Sequence, residues 1–336
     1  MAIGSGLSNS FGWSKETVAY GTRVAPAKFI RARRAATEYV PNRVVGEGIQ
    51  TGTYGLRGDH LVRTHESASA SVEFDVPTVG ALQLWENLMG GSGSAVVSGS
   101  AYGHTFTLAD IDAATGKSLT IQTNTALRGG TDKAKEVTGA KATSATFSVG
   151  RGELLTCSME FDGRKYDTSQ SLAAASYVAA PAYDKLFAFR HANLKLGTFG
   201  AEAAVDGPFG FTCTINRGMD VEDFRFNQSG LKSRPVLNTW TEITGVVSSD
   251  YVATADFEDR FTGMTLPSLV FECVGDTAVS GAVYPTFRIT LPGVEFTGPS
   301  QNNDGPAQPT NEWAFTWRWD GTNLPSIYQI NAETSV

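Results

Sequence analysis

The chain has 336 residues, of which 41% are hydrophobic and 18% charged, enough apolar material for a real core in each of about two domains. A net charge of −7 excludes a protein that holds nucleic acid through an overall basic surface. Three widely spaced cysteines, Cys157, Cys213 and Cys273, exclude a closed disulfide frame and read as small buried hydrophobes of a reducing compartment.

Residues 1–27 show no sustained periodicity and read as an extended N-terminal arm ending at Pro26. A first strand is expected over 28–40, stopped by Pro41. Residues 42–63 contain five glycines and few large apolar side chains, which suits a long contact loop. In the next run Ala68, Ala70, Val72, Phe74 and Val76 alternate with Ser67, Ser69, Ser71, Glu73 and Asp75, the pattern of a half-buried strand. Val79, Leu82, Trp85, Leu88 and Met89 then follow helical spacing over 78–89, with Gly90-Gly91 as the stop. A strand over 118–123 leads to the clearest element, a hairpin across 137–163. Its second run puts Leu155, Cys157, Met159 and Phe161 on one face and Thr156, Ser158, Glu160 and Asp162 on the other.

Residues 167–185 are rich in small and polar residues and read as a linker. The expected organisation is an arm (1–27), a first domain (28–166), the linker (167–185) and a second domain (186–336). The second half echoes the first. Asn42-Arg43 returns as Asn216-Arg217, Gly55-Leu56-Arg57 as Gly230-Leu231-Lys232, and Ala68/Ala70/Val72 as Ile243/Gly245/Val247, at a near-constant offset. A second helix is expected over 255–264. Phe161-Asp162-Gly163 is answered by Trp319-Asp320-Gly321, closing a stripe of Trp313, Phe315, Trp317 and Trp319 that reads as the buried face of a strand.

Chemistry is sparse. His60 and His65 lack metal-binding spacing and read as solvated loop residues. Ala114-Thr115-Gly116-Lys117-Ser118 imitates the end of a phosphate loop, but Ile111 replaces its first glycine and a strand follows where a helix is needed. Asp110 and Asp112 lack the glycine and distal glutamate of a calcium loop. Arg57-Gly58-Asp59 is a three-residue coincidence with an adhesion motif. No acid, base, nucleophile and oxyanion donors converge, so no catalytic site, cofactor or metal is expected. No run has the apolar length of a membrane helix, and the start lacks the apolar centre of a signal peptide.

The opening run, with Lys15-Glu16-Thr17, Tyr20-Gly21-Thr22, Val24 and Pro26, resembles the start of the major tail tube proteins of long-tailed (siphovirus-type) bacteriophages, especially those of actinobacterial hosts. GELLTCSMEFDGRKYDTS at 152–169, TEITG at 241–245 and DGTN at 320–323 resemble the same family, and the insertion at 300–312 departs from it. The resemblance implies a mainly β fold: tandem duplicated tail-tube β-sandwich or barrel domains, each with one flanking α-helix and a long β-hairpin loop. It implies a structural virion protein that stacks as rings into a hollow tube through which DNA passes. Homotrimeric rings are expected if the domain is duplicated, and homohexameric rings otherwise. The implied partners are tape-measure, tail-terminator and distal tail proteins, with assembly in the bacterial host cytoplasm and no membrane.

On that reading Ser67, Ser69, Ser71, Glu73, Ser158, Glu160, Thr244, Ser248 and Asp250 are the expected lumen-facing residues. Trp13, Tyr20, Tyr54, Arg57, Asp59, Phe226, Leu231 and Lys232 are the expected ring-to-ring contacts. Two other readings stand beside it. One is a β-sandwich lectin or adhesin using the tryptophan stripe or Arg57-Gly58-Asp59. The other is a virion protein that does not polymerise, such as a decoration or tail-terminator protein.

Overall fold

The computed structural model describes residues 3–4, 9–48, 55–110, 117–128, 132–179, 181–233, 236–250, 257–302 and 310–336. The first half runs β1 (Ile3–Gly4), β2 (Phe11–Lys15), β3 (Lys28–Ile30), β4 (Ala32–Val45), β5 (Leu61–Asp75), α1 (Leu82–Met89), β6 (Gly93–Ser98) and β7 (Ala101–Thr107). It continues with β8 (Leu119–Thr125), β9 (Leu127–Arg128), β10 (Lys133–Val149), β11 (Thr156–Gly163) and β12 (Lys165–Asp167). The second half runs β13 (Ala192–Thr198), β14 (Ala201–Ala204), β15 (Pro208–Asn216), β16 (Met219–Asp220), β17 (Val236–Leu237), β18 (Glu242–Asp250) and α2 (Glu258–Thr262). It ends with β19 (Ser268–Val274), β20 (Thr286–Leu291), β21 (Val294–Asn302), β22 (Thr310–Trp317) and β23 (Ser326–Asn331). The fold is mainly β.

Two large sheets dominate. A 12-stranded sheet follows the path β21-β22-β18-β15-β10-β11-β5-β4, and a 7-stranded sheet follows β14-β13-β19-β20-β23-β7-β6. Both sheets mix strands of the two halves, so neither half owns a sheet. The apolar faces meet through large rings. Trp85 of α1 lies 5.5 Å from Phe147 of β10 and 5.7 Å from Phe287 of β20, and Phe211 stacks on Phe271 at 4.2 Å. Burying each such side chain stabilises the fold by roughly 2–3 kcal/mol.

Along the long path the order β4-β5-β11-β10 is followed by β15-β18-β22-β21, and the registers coincide. Met159 faces Val72 in one set and Trp313 faces Val247 in the other; Ser158 faces Glu73, and Glu312 faces Ser248. Phe161 faces Ala70, and Phe315 faces Gly245. The irregularities coincide too: β4 bulges between Ala32 and Arg34, β15 between Pro208 and Gly210. Gly139, inside β10, has φ of 69°, and Gly293, where β20 gives way to β21, has φ of 73°. A left-handed residue bends the chain at both places, and glycine takes that conformation without steric cost.

These registers correct three readings of the sequence. Phe161 is matched by Phe315, so the Phe-Asp-Gly and Trp-Asp-Gly echo is a coincidence; Trp319 lies beyond β22 and is 61% exposed. Val40, not Asn42, stands in the place of Asn216, since Val40 faces Ser67 as Asn216 faces Glu242. Pro41 does not end its strand. It sits in β4, at the end of the sheet path, where the N–H that proline lacks is not required by a second neighbour.

The expected arm is also corrected. Phe11–Lys15 pairs with β3 and β8 inside the large sheet, and Trp13 is fully buried. The Lys15-Glu16-Thr17 to Tyr20-Gly21-Thr22 run has a structural role. The buried Glu16 carboxylate accepts hydrogen bonds from Gly21 N (2.7 Å), Ser118 Oγ (2.6 Å), Thr120 Oγ1 (3.0 Å) and Gly139 N (2.7 Å). Lys15 and Lys117 both pair with Glu86 of α1. Burial alone would raise the Glu86 carboxyl; bonds from Lys15, Ser92 and Lys117 outweigh it and hold it low. The expected linker is docked, since Thr78 Oγ1 donates to Asp184 O at 2.7 Å and Tyr183 Oη accepts from Ala332 N at 3.1 Å.

Both expected helices form, shorter than the spacing suggests. α1 starts at Leu82, and Ala255 of the second expectation lies outside the described residues, as do most of the phosphate-loop imitation and Asp112. All three cysteines are buried and free.

Candidate functional site

The 12-stranded sheet has one face packed in the core and one turned away from it. Period-two alternation assigns the faces: Ala68, Ala70, Val72 and Phe74 are buried, as are Cys157, Met159 and Phe161, and Ile243 and Val247. Ser67, Ser69, Ser71, Glu73, Ser158, Glu160, Thr244, Ser248 and Asp250 occupy the alternate positions of those strands. Every one of the nine expected channel-lining residues therefore lies on the same face of one continuous sheet.

Register extends that set to residues the sequence reading missed. Arg34, Ala36 and Glu38 face Glu73, Ser71 and Ser69, while Thr146 and Ser148 face Ser158 and Thr156. At the middle of the sheet the hydroxyls of Thr146 and Thr214 are 2.9 Å apart, and those of Ser148 and Thr212 are 3.4 Å apart. Exposed Glu38, Glu160, Glu242 and Glu312 make the face acidic. Three arginines reduce the excess: Arg34 stands opposite Glu73, Arg33 reaches Asp75 at 2.7 Å and Arg151 reaches Asp250 at 3.0 Å. The face is hydroxyl-rich in its middle and carries net negative charge, and the Ser144 hydroxyl donates to the Glu160 carboxylate at 3.3 Å. No group of histidine, cysteine and carboxylate residues among the described residues is arranged to hold a metal.

The eight expected contact residues do not form one patch. Trp13 is in the core. Tyr20 is largely buried, its ring covered by Arg164 at 5.6 Å and Lys141 at 5.7 Å, and burial pushes its hydroxyl pKa up. Tyr54 lies outside the described residues. Asp59 is exposed and Arg57 partly so, and the two are paired with each other across the turn before β5. Phe226 is 97% exposed, and Leu231 is half-buried.

Lys232 is the surprise. It is buried and donates to the Asp162 carboxylate, folding the β15–β18 connection over the end of β11. Burial pushes the Asp162 carboxyl up to about 6, against the pull of Lys232. The same connection is held by Glu66 N donating to Gly230 O at 3.0 Å and by the Phe224 ring 4.3 Å from that of His65. Leu231 beside it is too isolated to mark a buried strand or helix, and the partner that explains the burial of Lys232 is the distant Asp162.

The tryptophan stripe is split. Trp313 and Phe315 are buried at 3% and 1%, with Phe257 of the turn before α2 stacked 5.6 Å from Trp313. Trp317 is half-buried and Trp319 exposed, so only the first two positions of the stripe form the buried face of β22. No curated protein matches the chain. A family model described as phage tail tube protein matches residues 6–317.

Proposed function

Because the chain belongs to the phage tail tube protein family, and so is a structural component of the virion tail, we propose that it polymerises as stacked rings into the hollow tail tube of a long-tailed, siphovirus-type phage. The observation that carries this reading is the polar, acidic face of one sheet that spans the whole chain and ends in two strands, β4 and β21, at opposite ends of its path. Closing such a sheet on copies of itself removes its edges and turns one face inward. The net negative charge of this wall repels phosphate, so DNA passes without sticking.

The coincident registers of β4-β5-β11-β10 and β15-β18-β22-β21 support a tandem duplication, with the first repeat starting at β2 and the second at β13. Two quasi-equivalent repeats per chain give a trimeric ring with pseudo-six-fold symmetry; without the duplication the same ring would need six chains. Of the expected ring-to-ring contacts, the exposed loop residues Asp59 and Phe226 remain proposed for that role. Tape-measure, tail-terminator and distal tail proteins are the proposed partners along the tube and at its ends. An actinobacterial host, with assembly in its cytoplasm, follows from the resemblance of the opening run.

Negative-stain electron microscopy of the purified, concentrated protein tests the reading. Long hollow tubes with a regular axial repeat support it. Isolated particles at every concentration, including after addition of preformed tail tips as initiator, refute it.

A further inference from the structure

The chain contains one junction between its matched strand sets: β10 of the first pairs with β15 of the second, Thr146 opposite Thr214 and Phe147 opposite Cys213. In the repeated order β21 stands where β10 stands, and β4 stands where β15 stands. β21 and β4 are the two ends of the path. Resting on the tube reading above, we propose that the contact between neighbouring copies repeats this internal junction.

The register then follows residue by residue. Thr146 faces Ser158 and Ser300 faces Glu312, so Ser300 takes the place of Thr146. Thr214 faces Thr244 and Glu38 faces Ser69, the counterpart of Thr244, so Glu38 takes the place of Thr214. Ser300 of one copy therefore stands opposite Glu38 of the next, and Gln301 opposite Thr37, in an antiparallel pair. The contact is head-to-tail, and such contacts generate closed rings when the rotation per copy divides a full turn.

The loops repeat as well. Within the chain the β15–β18 connection of the second set covers His65 and Glu66 of the first. Between copies the β4–β5 connection, with Arg57 in the place of Lys232, covers the preceding copy where Trp240 takes the place of His65. Trp240 is 94% exposed in the single chain, an unusual state for that side chain and one this contact relieves. The charged clasp is not carried over, because Thr316 stands where Asp162 does. Closure between copies is therefore the weaker of the two junctions.

The test is a pair of cysteines at Glu38→Cys and Ser300→Cys, with Glu38→Cys/Glu295→Cys as a displaced control. The three native thiols are buried and stay out of the reaction. Mild oxidation of assembled protein is expected to give covalent species on a denaturing gel that end at a closed trimer, and none from the control pair. Independently, acrylamide quenching of wild-type protein is expected to fall on assembly, and the Trp240→Phe variant to lose that change. Tubes that form without covalent product from the Glu38/Ser300 pair, and with Trp240 still open to quencher, overturn this register while the tube reading stands. Wild-type protein that forms neither rings nor tubes overturns both.

Discussion

Lys232 and Asp162 form an ion pair with their side chains only 3% and 8% exposed, joining the loop of the second half to the last strand of the first half's hairpin. A buried pair is not strong evidence of net stabilisation, but breaking it by removing one partner is costly, because the remaining charge stays desolvated. Lys232→Met is expected to lower stability by about 3 kcal/mol at pH 8, read from the denaturation midpoint. Asp162→Leu on top of it should recover most of the loss.

The pH dependence has a definite sign. The folded-state pKa of Asp162 lies above the ordinary aspartate value, at about 6, so the folded chain holds this proton more tightly than the unfolded one. Its contribution is most favourable below about pH 4 and declines as pH rises to about 6, by roughly 3 kcal/mol, then stays level. Stability measured between pH 3.5 and 8 for the wild type, relative to Asp162→Asn, should show that decline. In Lys232→Met the penalty should shrink at acid pH, where a neutral carboxyl needs no cation.

Glu16 gathers four donors from three separate segments, and Glu16→Ala would leave them buried without an acceptor. Each stranded donor costs about 1–3 kcal/mol. The variant should lose at least about 3 kcal/mol, and Glu16→Gln, which keeps one acceptor oxygen, should lose less. Urea denaturation of the two variants separates these outcomes.

Gly245 faces Phe315, where the first half has Ala70 facing Phe161. A Cβ added to Gly245 would lie 2.2 Å from Thr212 O and 2.4 Å from the Phe315 ring. Gly245→Ala should therefore cost about 1–3 kcal/mol, and Ala70→Gly less. Equal effects would mean that the two sites pack alike.

On the acidic face, Glu73→Lys with Glu160→Lys changes the charge of two partly or fully exposed side chains without touching the core. Stability should move by no more than about 1 kcal/mol. Tubes of the variant should retain short DNA at low salt and release it as salt rises, by counterion release. Retention equal to that of the wild type at low salt would count against this face as the channel wall.

The hairpin over 137–163 and the Ser/Glu face of β5 were legible because strand alternation is a local signal, and each side chain's face follows from its parity. Register between distant strands has no such signal. Aspartate and glycine are conspicuous in both Phe161-Asp162-Gly163 and Trp319-Asp320-Gly321, while by register the residue placed like Phe161 is Phe315. Phe11 and Trp13 are too few for a period to show, so the sequence of residues 1–27 reads as an arm, yet β8 gives that short strand a partner. The burial of Lys232 depends on Asp162, 70 positions away, and that separation hides it from any local pattern.

The central claim, a ring of duplicated repeats with the large sheet's polar face inward, is tested most directly by electron cryomicroscopy of assembled tubes at a resolution that separates strands. The account predicts three chains per ring, a pseudo-six-fold end view, and the face carrying Ser69, Glu160 and Thr244 lining the channel. Six chains per ring, or the β14-to-β6 sheet lining the channel, would contradict it.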